Sequence, residues 1–386
     1  MKTNNPTVGL RQDLFAMKYA INALFVRWGV NAGTETYVTN IVRPWYESKP
    51  SGCEFLFYCN QLPPWWKGDR PWFRAIVLKS AKRVGWRIFY EQLWLPLVGL
   101  ISFDALFAPG YVGSALLQKP QAITVHDAFA WLYPGEIGLL RSLYWRMFIP
   151  LSLQSRNSLI TVSASTATDL KRFCNIDSQT LHVIHEAGSH LSEINEGGTI
   201  LERLGLEPGK YFHCVGFFKR IKNPYTILNA YRSYCAAAGS NSANKLVLVG
   251  HVGNSVGQEI ADFASKIPGV ILAGRLTDES LSDLYRNSAA LIFASLYEGF
   301  GIPILEAQEL GCPVITSRSS SMPEVAGDGA LLVNERSVSD VAAALSKISE
   351  KTEAETLIRK GKVNYQKFSW QKASDMTLDV LRKVNT

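Results

Sequence analysis

The sequence predicts an α/β protein built on two doubly wound parallel sheets. Three observations predict it. Short apolar runs of strand length alternate with longer helix-like stretches, the order needed by parallel sheets covered on both faces. The alternation lapses over Gly188–Gly209, a stretch richer in Gly, Glu and Asn, and then restarts. The 386 residues are 47% apolar and 19% charged, enough for two large cores and too apolar for a disordered chain.

The elements follow in order. Residues 1–16 read as a tail. Tyr19–Val26 is a first strand ending near Trp28-Gly29, followed by a Gly-bearing loop, Asn31-Ala32-Gly33-Thr34-Glu35, and a helix through Tyr37, Val38 and Ile41. Further strands are expected at Glu54–Cys59, Asp104–Ala108, Ala122–Val125, Leu159–Val162 and Leu181–His185. Ser163-Ala164-Ser165 caps a helix over Ala167–Phe173. After the lapse come strands at Tyr211–Val215, Lys245–Val249, Val270–Leu272, Ala290–Ala294 and Pro313–Thr316. Helices are expected between them at Pro224–Tyr234, Leu281–Arg286 and Pro303–Leu310. A Ser-capped helix closes the chain from Trp370 to Leu381. Two such sheets predict a cleft at the C-terminal ends of their strands.

Composition narrows the function only loosely. Lys plus Arg number 40 and Asp plus Glu 33, a charge of +7 that fits an anionic substrate, a membrane surface or nucleic acid. Six cysteines are scattered without CxxC spacing, which predicts reduced thiols, a reducing compartment and neither a zinc knuckle nor a redox dithiol. The opening MKTNNPTVGLRQDLF lacks the apolar core of a signal peptide. No run reaches the roughly 18 apolar residues of a spanning helix. No Asp-x-Asp triplet occurs, so a metal-dependent sugar transferase is not expected.

The second half carries the chemistry. In Leu296-Tyr297-Glu298-Gly299-Phe300-Gly301-Ile302-Pro303-Ile304-Leu305-Glu306 a strand gives way to a two-glycine turn and a helix starting near Pro303. Glycines admit close backbone approach, and amides at a helix start favour an anion. Glu298 in the turn and Glu306, expected in the helix's first turn, are spaced to hold two parts of one polar ligand. The alternative is a surface carboxylate and a helix-start charge. Gly216-Phe217-Phe218-Lys219-Arg220-Ile221-Lys222-Asn223 sets three cations in one loop after a strand, suited to a diphosphate or simply to solvent.

These residues resemble the nucleotide-sugar signature of retaining glycosyltransferase family 4, whose members have the GT-B architecture. The match extends over Gly274-Arg275-Leu276, Leu281–Tyr285, Ala289, Ser295–Glu306, Gly311–Ile315 and Met322–Gly327, and more weakly over residues 17 to 380. The resemblance implies two Rossmann-like doubly wound domains facing across a cleft. Their expected bounds are 1–190 for an acceptor-side domain, 191–208 for the crossing, 209–365 for the nucleotide-sugar domain and 366–386 for a helix packing back on the first domain.

By resemblance, Glu306 would bind the donor ribose and Glu298 the transferred sugar. Gly299, Phe300 and Gly301 would meet the sugar or diphosphate, and Lys222 would meet the diphosphate. The family arginine near Lys222 is missing, since Phe217 and Ile221 stand in its places, leaving Lys219 or Arg220 to replace it beside Gly216. His126, followed by Asp127 after the strand Ile123-Thr124-Val125, would sit against the donor sugar. Gly33-Thr34-Glu35 resembles the family's glycine loop, with Ala32 in its first glycine place.

Between Pro64 and Leu100, Trp65, Trp66, Trp72, Phe73, Trp86, Phe89, Tyr90 and Trp94 interleave with a series of cations. On helices this run fits an anionic membrane surface, an ordinary amphipathic element or, third, single-stranded nucleic acid. A second aromatic stretch, Trp131 to Phe148, extends it.

The expected activity is hexose transfer from a nucleoside-diphosphate sugar to a glycan or polyprenyl-diphosphate-linked acceptor in polysaccharide synthesis. GDP-mannose is the first donor choice and a UDP-sugar (glucose, galactose or N-acetylhexosamine) the alternative. No further cofactor, metal or nucleic-acid partner is expected. The expected place is the cytoplasm, with a peripheral site on the inner face of the plasma membrane as its extension. An epimerase-type enzyme and a non-catalytic sugar-nucleotide sensor are the competing classes.

Overall fold

The computed structural model describes residues 16–384 apart from 31, 154–156, 177, 189–190, 192–193, 195–198 and 240–242. The expected tail over 1–15, Asn31 of the first loop and part of the expected crossing at 191–208 lie outside the described residues. The chain forms two compact units. Unit 1 runs to Val162 and adds Ala167–Ile184 and the chain from Trp370 onward; unit 2 holds Ser163–Thr166 and His185–Ser369.

Unit 1 is built on a parallel sheet of β1 (Met17–Ala23), β2 (Cys53–Cys59), β3 (Phe73–Val77), β4 (Ala105–Ala108), β5 (Gln121–Val125), β6 (Ser158–Thr161) and β7 (Leu181–Val183). The strand order is β3-β2-β1-β4-β5-β6-β7. In β1, Met17 lies opposite Cys53 and Ala23 opposite Cys59. β4 and β5 are buried throughout, as strands covered on both faces must be. Helix Ala32–Ser48 connects β1 to β2. The helix Trp370–Lys383 packs beside it: Ser374 Oγ donates to the Ile41 carbonyl at 2.7 Å, and the Trp370 ring meets Tyr37 edge-on at 6.2 Å.

Unit 2 repeats the plan with β8 (Tyr211–Val215), β9 (Lys245–Val249), β10 (Val270–Gly274), β11 (Ala290–Phe293), β12 (Val314–Ser317) and β13 (Leu331–Val333), in the order β10-β9-β8-β11-β12-β13. Alternate residues feed opposite faces. Phe212, Cys214, Leu246, Leu248 and Ile292 enter one core, while Tyr211, Val247 and Val249 enter the other. Two parallel sheets, each flanked by helices, are the two Rossmann-like domains of the GT-B architecture. In each sheet the winding reverses once, between β1 and β4 and between β8 and β11. Ligands of open α/β sheets gather at such switch points.

Three expectations need correction. The first strand stops at Ala23 rather than Val26. β3 lies inside the run expected to be helical between Pro64 and Leu100, because Phe73–Val77 pairs residue for residue with Phe55–Cys59 of β2 instead of following a helical period. β13, only three residues long, was not anticipated.

Candidate functional site

In unit 2 the loops after β8 and β11 lie on either side of the switch point. The Leu296 amide donates to the Ile221 carbonyl at 2.9 Å and joins them. Gly216 ends β8 at φ +61°, a conformation that a side chain would strain. Phe217, Phe218 and Ile221 are buried, so this loop is anchored by its apolar residues. Asn223 adopts φ 59° and donates through Nδ2 to the carbonyls of Ala294 (3.1 Å) and Glu335 (2.6 Å), fixing the start of helix Pro224–Ala238.

The three cations of the loop part company. Lys219 is exposed. Arg220 turns outward onto Glu259 at 3.1 Å. Lys222 turns inward: its Nζ lies 2.7 Å from Glu298 Oε1 and 4.4 Å from the centre of the Phe293 ring, with both partners of the ion pair largely buried. An ammonium has three N–H groups, so this pair leaves it able to bind an oxyanion as well.

The loop after β11 is held by its carbonyls. Glu298 O accepts from Ser320 Oγ (2.5 Å) and Ser321 Oγ (3.0 Å), Gly299 O from Ser163 Oγ (2.7 Å), and Phe300 O from Ser321 Oγ (2.5 Å). Among the described residues none accepts from the amides of Gly299, Phe300 or Gly301. Helix Ile302–Glu309 begins directly after them. Pinned carbonyls, open amides and a helix start make an anion cradle.

Glu306 lies in the second turn of this helix, not the first, because the helix starts at Ile302 and Pro303 is its second residue. Its carboxylate accepts from the Tyr285 hydroxyl at 2.9 Å. Burial, then the neighbouring Glu306 charge, raises the Tyr285 phenol well above its ordinary value. His213 meets the Tyr285 ring edge-on at 4.6 Å, and burial lowers its imidazole to about 3. A neutral wall therefore backs the Glu306 carboxylate.

Sequence reasoning gave no role to Tyr285, Ser320, Ser321 or Glu324. Glu324 accepts from the amides of Ala164 (2.8 Å) and Ser165 (3.3 Å) and meets His185 Nε2 at 2.6 Å. Burial raises its carboxyl, but the His185 and backbone hydrogen bonds outweigh burial and leave it lowered. Tyr285 and Glu324 fell inside the matched stretches, and that was their only signal. The serine run Ser319-Ser320-Ser321 carried none.

His126 follows β5, is buried, and its Nε2 donates to the Pro109 carbonyl at 2.8 Å, which sets a proton on that nitrogen. The Tyr37 ring stands edge-on to the imidazole at 4.6 Å. Asp127 accepts from the Tyr111 hydroxyl and from the Phe129 amide at 2.9 Å. Gly33 was expected in a loop. It lies instead in the first turn of helix Ala32–Ser48, and Glu35 of that turn accepts from the Gly29 amide at 2.7 Å. Ala32, in the family's first glycine place, is the first residue of that helix.

Among the described residues no group of three or more His, Cys, Asp or Glu could hold a metal ion. None of their helices is long and apolar enough to cross a membrane.

Two Rossmann-like units, one with an anion cradle at its switch point, define a GT-B-fold protein related to bacterial nucleotide-sugar transferases, mannosyltransferases among them. Residues 199–363 match the family model described as Glycosyl transferases group 1. The chain is 28% identical over 253 residues to O-antigen chain mannosyltransferase RfbU of Salmonella typhimurium, covering 64% of this chain and 66% of that protein. It is 26% identical over 265 residues to O-antigen chain mannosyltransferase B of Escherichia coli, covering 67% and 69%. Among solved structures, HepE of Anabaena in complex with UDP and glucose shares the fold at a TM-score of 0.68 and 14% identity, covering 95% of this chain and 100% of that one.

Proposed function

We propose that the protein is a retaining glycosyltransferase of the family 4 type, which moves a hexose from a nucleoside-diphosphate sugar to a growing glycan or lipid-linked oligosaccharide. The observation that carries the reading is the loop after β11, whose carbonyls are pinned while its amides stay open beside Lys222. In this reading Glu306 binds the ribose hydroxyls, because an ionised carboxylate only accepts and a diol supplies two donors. Glu298 holds sugar hydroxyls through Oε2, its other oxygen being taken by Lys222. The amides of Gly299, Phe300 and Gly301, with Lys222, stabilise charge on the departing diphosphate. Lys219 is the spare cation, since Arg220 is engaged by Glu259. Gly216 keeps the β8 loop low beside Lys222, and Gly33, in the first turn of helix Ala32–Ser48, serves as a backbone position on the donor side.

Retention follows if the leaving phosphate takes the acceptor's proton while the sugar gains oxocarbenium character, with the protein supplying position and charge. His126 serves the donor sugar as a hydrogen-bonding group. The work belongs to polysaccharide synthesis in the cytoplasm.

For the donor we rank a UDP-sugar ahead of GDP-mannose. HepE, of the same fold, holds UDP, while the names of the sequence relatives give a sugar and no base. A screen of UDP- and GDP-sugars for transfer to polyprenyl-diphosphate-linked acceptors decides between them. His126→Ala should lower kcat more than donor affinity. Transfer at the parent rate would make His126 structural, and donor binding without transfer or hydrolysis by the parent protein would make this a sensor.

A further inference from the structure

Unit 1 turns an apolar face to solvent. One continuous helix runs from Val84 to Ser102, α-helical over Val84–Phe89, π-helical over Tyr90–Trp94 and α-helical again over Leu95–Ser102. Its inner stripe, Glu91, Leu95 and Gly99, is buried. Its outer stripe, Trp86, Phe89, Leu93, Leu97, Leu100 and Ile101, is exposed, Ile101 to 92%. Steps of three and four residues place the first five on one side, with Ile101 next to Leu100 at its edge.

Helix Leu139–Ser152 repeats the inversion. Ser142, Ile149 and Ser152 point inward, while Leu139, Leu140, Leu143, Met147 and Leu151 are exposed, Leu140 to 85%. Both helices border the segment after β4: Gln92 of the first donates to the Gly113 carbonyl and accepts from the Ala115 amide, each at 2.9 Å, while Tyr144 and Phe148 of the second pack in the cluster that holds Val112. Isolated exposed leucines are ordinary, but two adjacent helices with their apolar stripes outward are an interaction surface.

Cations outnumber acids around this face, where Glu136, just before the second helix, is the exposed acid. Lys79, Lys82 and Arg83 lead into the first helix and Arg141 and Arg146 lie on the second, all exposed. The first helix's acid, Glu91, is buried, and the second helix has none. We propose that helices Val84–Ser102 and Leu139–Ser152 seat the protein on an anionic lipid bilayer, with the apolar stripes in the interfacial layer and the cations at the headgroups.

Charge complementarity selects this occupant. A second copy of the chain would bring cations to cations, whereas acidic headgroups neutralise them. Trp86 and Phe89 suit the depth where headgroups meet acyl chains. Of the aromatic run that suggested a membrane surface, only its last part contributes. Trp65 and Trp66 pack instead on Tyr46, Phe57 and Phe73. The surface is independent of the transfer reading, because docking needs neither donor nor acceptor.

The test is sedimentation of the full chain with vesicles of phosphatidylcholine alone and of phosphatidylcholine mixed with phosphatidylglycerol. Binding is expected on the mixed vesicles and should weaken with salt. Ile101→Asp with Leu140→Asp should lower partitioning at least tenfold at an unchanged thermal midpoint, both sites being exposed. Lys82→Gln with Arg83→Gln should reduce the preference for phosphatidylglycerol. Absence of sedimentation with both vesicles overturns the proposal. So does a concentration-dependent dimer abolished by the aspartate pair, which would make a second copy the occupant.

Discussion

Glu306 is engaged before any ligand arrives, since Tyr285 donates to it at 2.9 Å. Glu306→Ala would both remove a carboxylate from the proposed ribose site and orphan a buried phenol. Glu306→Gln keeps an acceptor for Tyr285, so it isolates binding from folding. We expect Glu306→Gln to weaken nucleoside-diphosphate binding by about 2–3 kcal/mol, the loss of a charged hydrogen-bond pair, read by calorimetry. Unchanged affinity in the folded variant would remove Glu306 from the site. Lys222 is argued on the same principle. Lys222→Ala should lower kcat/KM about tenfold or more while nucleoside recognition changes little, because charge grows on the diphosphate only as the bond breaks. Equal kinetics would hand the phosphate to Lys219. These carboxylates and the lysine were legible from the sequence because a strand, a glycine turn and a helix bracket them. Tyr285 was not, because its partner lies 21 residues away across a packed interior. Ser320 and Ser321 hold the loop across 22 and 23 residues and belong to no local pattern.

Among the elements, helix Val84–Ser102 carries a titratable core residue. Burial raises the Glu91 carboxyl to about 7, against smaller lowering effects from Arg87 and a hydrogen bond from Asn22. Unfolded, the same group titrates at about 4.5. Between these values the folded chain keeps a proton that the unfolded chain has released, so stability falls as pH rises through that window and levels off above it. The full effect is about 3 kcal/mol. Thermal unfolding at pH 5 and pH 8 should show this fall in the parent and not in Glu91→Gln. An equal fall in both would place the titration elsewhere. Strands such as β8 and β9 were legible because they are short and wholly apolar. β3 was hidden because Arg74 interrupts it and aromatic residues surround it, and that mixture reads as a helix face when pairing with β2 is unknown.

At the scale of the molecule, the chain enters unit 2 at Ser163, returns at Ala167, leaves again at His185 and comes back at Trp370. Unit 1 therefore depends on a helix far from its other parts. Truncation after Ser369 removes the buried Ala373, Leu378, Val380 and Leu381 and uncovers their neighbours on helix Ala32–Ser48. At roughly 1.5–3 kcal/mol per larger side chain, unit 1 should lose about 5 kcal/mol or more. Calorimetry should then resolve an early transition for unit 1 while the later one persists; a single unshifted transition would contradict this. The same feature sets a schedule. Helix Ala32–Ser48 leaves the ribosome about 320 residues ahead of the segment that covers it. At roughly 5–20 residues per second that interval is roughly a quarter of a minute to a full minute. Unit 1 is begun first and completed last, and through that wait its uncovered flank is open to nascent-chain chaperones.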